Sequence, residues 1–382
     1  MKATRRAGYT ARFAITVVLA ASVGSAPVTR AFAQPLRIPD RLDDREFWSL
    51  INGVSEAGGS FRSDNFLSNE RMFQVVIPRL QRITRPGGIY LGVGPEQNFT
   101  YIVALQPRMA IIFDIRRQNM IEHLMYKALF ELSPTRAEFL SKLFCRPRFA
   151  GDDTVSDVGG LMDRYGDATR DSLLARRTLA SIKQTLVRHG FMLTAADLAS
   201  LDYVFDAFCT RGPDIDYSYP SQRGGFGRGM PSYAELMLAT DSAGTSRSYL
   251  ATEANYRYMR SMHARNLIVP VVGDFAGPKA IRTVAQYLKR RGATVTAFYT
   301  SNVEQYLFQQ ADDWQRFYEN VETLPIDQRS MFIRSIGGGA RGLGSGRPFG
   351  RLGSVLSSIQ EILKAYRDGR INAYGDVIGL SR

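Results

Sequence analysis

Residues 87–102 read GGIYLGVGPEQNFTYI, and how this stretch is interpreted governs the rest of the chain. GIYLGV is a short apolar run rich in branched and aromatic residues and bounded by turn signals, so it reads as a buried strand. The strand ends at Gly92 and Gly94, which supply a tight turn where backbone can approach a ligand. A glycine-rich nucleotide loop then carries a third glycine for close packing of helix on strand, but here Pro95, Glu96, Gln97 and Asn98 follow. A second apolar run, RMAIIFDI (108–115), ends in Asp114, 22 residues beyond Gly92. That is where an acid accepts hydrogen bonds from two ribose hydroxyls, and a strand, a G-x-G turn and a strand-terminal acid together weigh more than the glycines alone.

The same rhythm returns later. The helix SYLATEANYRYMRSMHAR (248–265), the strand NLIVPVVGD (266–274), the helix GPKAIRTVAQYLKRRG (277–292), the strand TVTAFYTS (294–301) and the helix VEQYLFQ (303–309) alternate, and SMFIRSI (330–336) adds a strand. Strands alternating with helices of this length imply crossover connections. The expected fold is therefore α/β and Rossmann-like, with a mainly parallel sheet covered by helices on both faces. Its halves occupy 87–150 and 236–336.

Three further segments surround this core. A helical N-terminal arm spans 34–86: DREFWSLINGVSEAGG (44–59) puts Phe47, Leu50, Ile51 and Val54 on one face, and RMFQVVIPRLQRI (71–83) is a second helix that Pro78 must kink or open. The region 151–235 is a helical insertion, with amphipathic stretches at 169–190 and 194–208 and then an irregular loop rich in Gly, Pro and Tyr (211–233). In 337–382 a Gly-rich loop precedes a C-terminal helix, VLSSIQEILKAYRDG (355–369). No internal repeat is visible.

The first 33 residues have the order of a secretory signal: Arg5, Arg6 and Arg12, an apolar run from Phe13 to Val23, then Ala31-Phe32-Ala33. The run falls short of the ~20 residues that span a bilayer, so cleavage after Ala33 is expected and an uncleaved anchor is the alternative. Arg5-Arg6 also permits a twin-arginine route for folded proteins. The protein is thus expected to be exported, periplasmic or secreted, with no transmembrane span in the mature chain. Removing the five leader cations takes the formal charge of the 382-residue chain from +13 to +8, and without a dense Lys/Arg run nucleic acid is an unlikely partner. Three histidines, none at metal-ligand spacing, argue against zinc. Cys145 and Cys209 form either one disulfide or two buried thiols.

GGIYLGVGPEQNFTYI (87–102), MAIIFDIRRQNMIEHLMYKALFEL (109–132), NLIVPVVGDFAG (266–277) and TVTAFYTSNVEQYLF (294–308) resemble an uncharacterised bacterial family with the Rossmann-like S-adenosylmethionine-dependent methyltransferase fold. The resemblance implies an S-adenosylmethionine cofactor held by Gly92, Gly94, neighbouring Asn98 and the ribose acid Asp114, with Gly273-Asp274 bordering the transfer site. Glu96 would repel a diphosphate, which favours a ligand whose middle is cationic or uncharged. Asp274 and Glu96 are the candidate catalytic groups, orienting an acceptor or taking its proton. Asp64, Asn65, Ser68 and Asn69, with Asn302 beyond the strand ending in Tyr299-Thr300-Ser301, are candidate substrate or lid residues.

Each has a structural alternative. The glycines make a plain turn, Asp114 caps the next helix or pairs with Arg116 or Arg117, Asp274 caps the helix near Gly277, Ser68 caps a helix with Glu70 exposed, and Asn302 serves a turn. Glu122 and His123, adjacent on a helix, point apart and are no dyad. Two functions follow: a methyltransferase of unknown acceptor binding an adenosine-containing small molecule, or a non-catalytic ligand-binding or sensing module on a degenerate Rossmann-like fold.

Overall fold

The computed structural model describes residues 37–155, 157–220, 230–336 and 353–381. The expected signal segment, the centre of the irregular loop (221–229) and the Gly-rich loop (337–352) lie outside the described residues.

Strands β1 (Ile89–Val93), β2 (Met109–Asp114), β3 (Ile268–Val272), β4 (Val295–Ser301), β5 (Ile326–Ile336) and β6 (Gly353–Ser358) form one sheet in the order β3-β2-β1-β4-β5-β6. Every pairing is parallel except β5 with β6. The chain builds β1, β2 and β3 outward on one side and then returns to lay β4 beside β1. This is the strand order of doubly wound α/β sheets, with the last strand reversed. β2 and β3 are buried along their whole length, which is why they read as unbroken apolar runs rather than alternating ones.

The arm carries α1 (Asp44–Val54) and α2 (Ile77–Ile83). α1 starts where Asp43 and Glu46 cap each other's backbone N–H, and it buries Phe47, Trp48, Ile51 and Val54. Pro78 stands in the first turn of α2, where its missing N–H leaves no helix bond unmade, and a single 3₁₀ turn, Phe73–Val76, leads into it. α3 (Gln97–Leu105) follows β1, and α4 (Arg117–Leu132) follows β2.

Between α4 and β3 lie α5 (Arg136–Phe144), α6 (Val158–Asp167), α7 (Ser172–Arg188), α8 (Ala195–Arg211), α9 (Tyr233–Leu238) and α10 (Glu253–Ala264). α10 starts five residues later than the sequence suggests because Thr252 accepts from the Asn255 N–H and fixes its first turn. Cys145, just after α5, and Cys209, in the last turn of α8, form a disulfide with Cα atoms 5.0 Å apart.

After β3 come α11 (Ala280–Arg290), α12 (Val303–Leu307), α13 (Asp313–Glu322), α14 (Ile359–Arg367) and α15 (Tyr374–Gly379). Several elements differ from the sequence reading. Residues Val355–Ser358, expected to open the last helix, belong to strand β6, and Ser358 caps α14 behind it. Helix α13 was not anticipated; its buried Phe317, Tyr318 and Val321 pack beneath α11 and α14. Beneath α12, fully buried Arg334 forks onto Glu304, which also accepts from the Tyr318 hydroxyl at 2.7 Å. No helix among the described residues is long and apolar enough to cross a membrane.

Candidate functional site

A cavity of about 330 Å³ opens at the carboxyl ends of β1, β2, β3 and β4, beside the β1/β4 switch in strand order. Ligands of open α/β sheets sit in this crevice. Its walls come from the turn after β1 (Val93, Gly94, Pro95), the end of β2 (Asp114, Ile115, Arg116), the segment after β3 (Gly273, Asp274, Phe275) and the end of β4 (Tyr299, Ser301, Asn302). The arm loop adds Ser60, Phe61, Asn65, Ser68 and Asn69, and Tyr217, Val303, Tyr306, Leu307, Gln310 and Asp313 complete the rim.

The turn after β1 is held from below. Gly94 adopts φ +77°, a conformation glycine enters without penalty. Its N–H donates to the Phe113 carbonyl at 3.0 Å, and its carbonyl accepts from His123 Nε2 at 2.8 Å. A carbonyl only accepts, so Nε2 carries the proton. Burial pushes the His123 imidazole down to about 4, which keeps the ring neutral.

Asn98 lies under the turn rather than in the cavity. Its Nδ2 donates to the carbonyls of Val93, Gly94 and Pro95 at 3.0, 3.3 and 2.7 Å, and its Oδ1 accepts from the Tyr90 hydroxyl at 2.8 Å. Gly92 faces this amide and does not line the cavity either. Both residues shape the turn without lining the cavity.

Glu96 is also turned inward. Its side chain is fully buried, both oxygens lack a hydrogen-bond partner, and burial raises the carboxyl to about 8. It does not line the cavity. The sequence argument that its charge repels a diphosphate therefore has no geometric support. Neighbouring Glu122 is driven up by burial and then by Glu96.

Asp114 does reach the rim, and it is already engaged. Oδ1 accepts from the Arg116 backbone N–H at 2.8 Å and from Nε at 2.9 Å, and Oδ2 accepts from Nη2 at 2.7 Å. Such a two-pronged pair is among the stronger charge-assisted contacts. Oδ2 retains acceptor capacity for one more donor, where the sequence reading supposed room for two.

Asp274 lines the cavity after β3, half-buried, with Oδ1 accepting from the Ala276 N–H at 2.9 Å, and burial raises its carboxyl. It does not cap α11. That role belongs to Glu56 of the arm, whose carboxylate accepts from the N–H groups of Lys279 and Ala280, both at 2.7 Å, and of Asp274 at 3.1 Å. An added Cβ at Gly277 would fall 2.3 Å from Glu56 Oε2. The helix end where a phosphate commonly docks is thus filled by the protein's own acid.

Of the lid candidates, Asn65, Ser68, Asn69 and Asn302 line the cavity, and Asp64 does not. Asp64 instead accepts from Tyr203 at 2.8 Å through its side chain and from Arg116 through its carbonyl. Ser68 accepts from the Glu70 N–H at 3.1 Å, but Glu70 is buried, contrary to the exposed position its spacing suggests. Its carboxylate accepts from Tyr299 at 2.7 Å, Ser301 at 2.5 Å and Gln97 at 3.0 Å. Sequence reasoning put Glu70 in a polar cluster near a pocket and Tyr299 on its rim without their contact, and it missed Arg116 as part of the wall, Glu56 as the helix cap and the other aromatic lining residues. Only Arg116, two residues from Asp114, had a local signal. Among the described residues no group of His, Cys, Asp or Glu is arranged to hold a metal.

Residues 65–148 and 214–366 match a family described as a domain of unknown function, DUF7790. The chain belongs to that family. The matched stretches contain all six strands and most cavity residues, while the unmatched 149–213 holds α6, α7 and α8. No curated protein matches the chain.

Proposed function

We propose that this DUF7790 protein is exported and binds an adenosine-containing ligand of the S-adenosylmethionine type in the cavity, as a methyltransferase of unknown acceptor. One observation carries the reading: the cavity lies beside the β1/β4 switch point, with the left-handed Gly94 turn on one side and the Asp114 carboxylate at the end of the next strand. The turn brings backbone close to a ligand, and the open lone pair of Asp114 suits a ribose hydroxyl.

Methyl transfer from a sulfonium is a displacement that depends on alignment and exclusion of water. The enclosed walls suit both. Among the described residues Asp274 is the wall carboxylate that forms no salt bridge, and burial raises its proton affinity, so it suits taking a proton from an acceptor within hydrogen-bond reach. The disulfide fits an oxidising compartment, which supports export.

A second reading, a binding or sensing module without transfer chemistry, is favoured by Glu96. The other candidate catalytic acid is sealed inside, leaving Asp274 alone. Fold does not separate the two readings.

Calorimetry and thermal shift on the mature chain with S-adenosylmethionine, its demethylated product and adenosine test the ligand. Binding of at least one is expected, and silence with all three ends the reading. Asp114→Asn weakens that binding if the ribose contact holds. Binding without methyl transfer to any acceptor selects the second reading. Mass spectrometry of a co-purifying ligand identifies it directly.

A further inference from the structure

The charges around the cavity do not balance. Asp114 is matched by Arg116, and Asp313 at the rim pairs with Arg316. Among the described residues Asp274 and Glu70 form no salt bridge. Glu70 sits behind the wall, where Tyr299 and Ser301 both line the cavity and both donate to its Oε1. Burial raises the Glu70 carboxyl, and the hydrogen bonds from Ser301, Gln97 and Tyr299 pull against it by favouring the ionised form, their 2.5 and 2.7 Å oxygen contacts lying in the range of O–H···O⁻ bonds. Ser301 adopts φ +51°, an uncommon conformation for serine that places its Oγ against Glu70.

Five aromatic side chains, Phe61, Tyr217, Phe275, Tyr299 and Tyr306, share the same cavity. Ring faces attract a weakly hydrated cation, and aromatic walls with nearby carboxylates recognise quaternary ammonium and sulfonium centres. The helix-end seat for an anion is closed, because Glu56 occupies the N-terminus of α11, and Asp114 takes up the charge of Arg116; Arg62 lies over the Tyr306 ring, 5.5 Å from its centroid, which leaves the Tyr299 side of the cavity to a cation.

We propose that the cavity receives the positive centre of an organic cation against the Tyr299–Ser301 wall, and that Glu70 behind this wall is the residue that selects for the charge. The inference deepens the ligand reading above and rests on its cavity, not on the nucleoside.

The test compares a cation with a neutral counterpart of nearly the same shape, in two pairs, on the purified mature chain. The first pair is choline and 3,3-dimethyl-1-butanol; the second is S-adenosylmethionine and its demethylated product, which lacks the sulfonium charge. In at least one pair the cation binds about tenfold tighter, the effect of a unit charge several ångströms away at intermediate dielectric. Glu70→Gln, which keeps shape and hydrogen bonding, brings that ratio close to one. Tyr299→Phe, which removes one donor from the carboxylate, lowers it in the same direction and serves if Glu70→Gln does not fold. Equal binding within both pairs, no binding of either cation, or an unchanged ratio in the folded variants overturns the proposal. A charge preference confined to the choline pair, with no adenosine binding, removes the nucleoside reading and leaves this one standing. Adenosine binding without charge preference does the reverse.

Discussion

A Cβ placed on Gly92 falls 1.9 Å from Oδ1 of Asn98. The glycine in β1 is therefore required by a buried amide that ties together the three carbonyls of the following turn, and ligand approach is not the reason for it. Gly92→Ala should destabilise the protein by about 3 kcal/mol, the upper range for overpacking a tight site. In an Asn98→Ala background the same change should be milder, because the nearest clashing atom is gone and only the Tyr90 ring, 2.8 Å away, still has to shift. Denaturant titration of the four proteins decides it: equal losses in both backgrounds mean that the two residues are not coupled.

Glu96 bears on pH. Its carboxyl is raised from 4.5 to about 8, so between those values the folded protein holds a proton that the unfolded chain has released. Stability from this group is complete below the ordinary carboxylate range and declines as pH rises toward 8. Glu96→Gln removes the dependence. The variant should gain on wild type steadily from pH 5 to pH 8, with a difference on the order of 3 kcal/mol near pH 7. Parallel stability curves would show that Glu96 is not buried as described.

The Cys145–Cys209 disulfide closes a loop of 64 residues, and that loop contains α6, α7 and α8. Constraining a loop of this length in the unfolded chain stabilises the fold by about 4 kcal/mol in the chain-entropy account. Reduction, or paired Cys→Ser replacement, should lower the melting temperature and expose α6 to α8 to protease before the sheet. Simultaneous cleavage of both regions would show that the cross-link does not secure the helices separately.

His189 bridges two acids, with Nδ1 2.8 Å from Asp44 and Nε2 2.7 Å from Glu131. Hydrogen bonds to both carboxylates favour the imidazolium, with Glu131 the larger influence, and raise its proton affinity. This contribution is complete below the ordinary histidine range and is lost as pH climbs through the raised value. Asp44 and Glu131 are held below the ordinary carboxylate range, and their share is lost as pH falls. The stability gap between wild type and His189→Gln should therefore peak in mildly acidic solution and narrow as pH climbs past the ordinary histidine range. A gap that does not vary with pH would mean that the bridge contributes no charge.

Apolar runs made β1 to β5 legible, and the Asp114–Arg116 contact was visible because its partners are two residues apart. β6 was hidden because Val355–Ser358 leads without a break into α14, and only pairing with β5 makes a strand of it. Glu96 was misplaced because an acid beside a predicted loop reads as exposed, and an unpartnered buried carboxyl defies the usual pattern. The Glu70–Ser301 contact joins positions 231 residues apart, so no window on the sequence contains it. Local chemistry thus announced the turn and the strand ends, whereas the wall of the cavity is a product of tertiary folding.

The arm also protects the sheet. Glu56 donates its N–H to the Val272 carbonyl at 2.9 Å, and Ser55 Oγ accepts from the Val272 N–H at 3.0 Å, so one outer flank of the sheet is capped by the chain's own beginning. Bare strand flanks invite pairing between molecules. A protease trimming past Ser55 would strip this cover off, and insoluble material would then be the first sign of the damage.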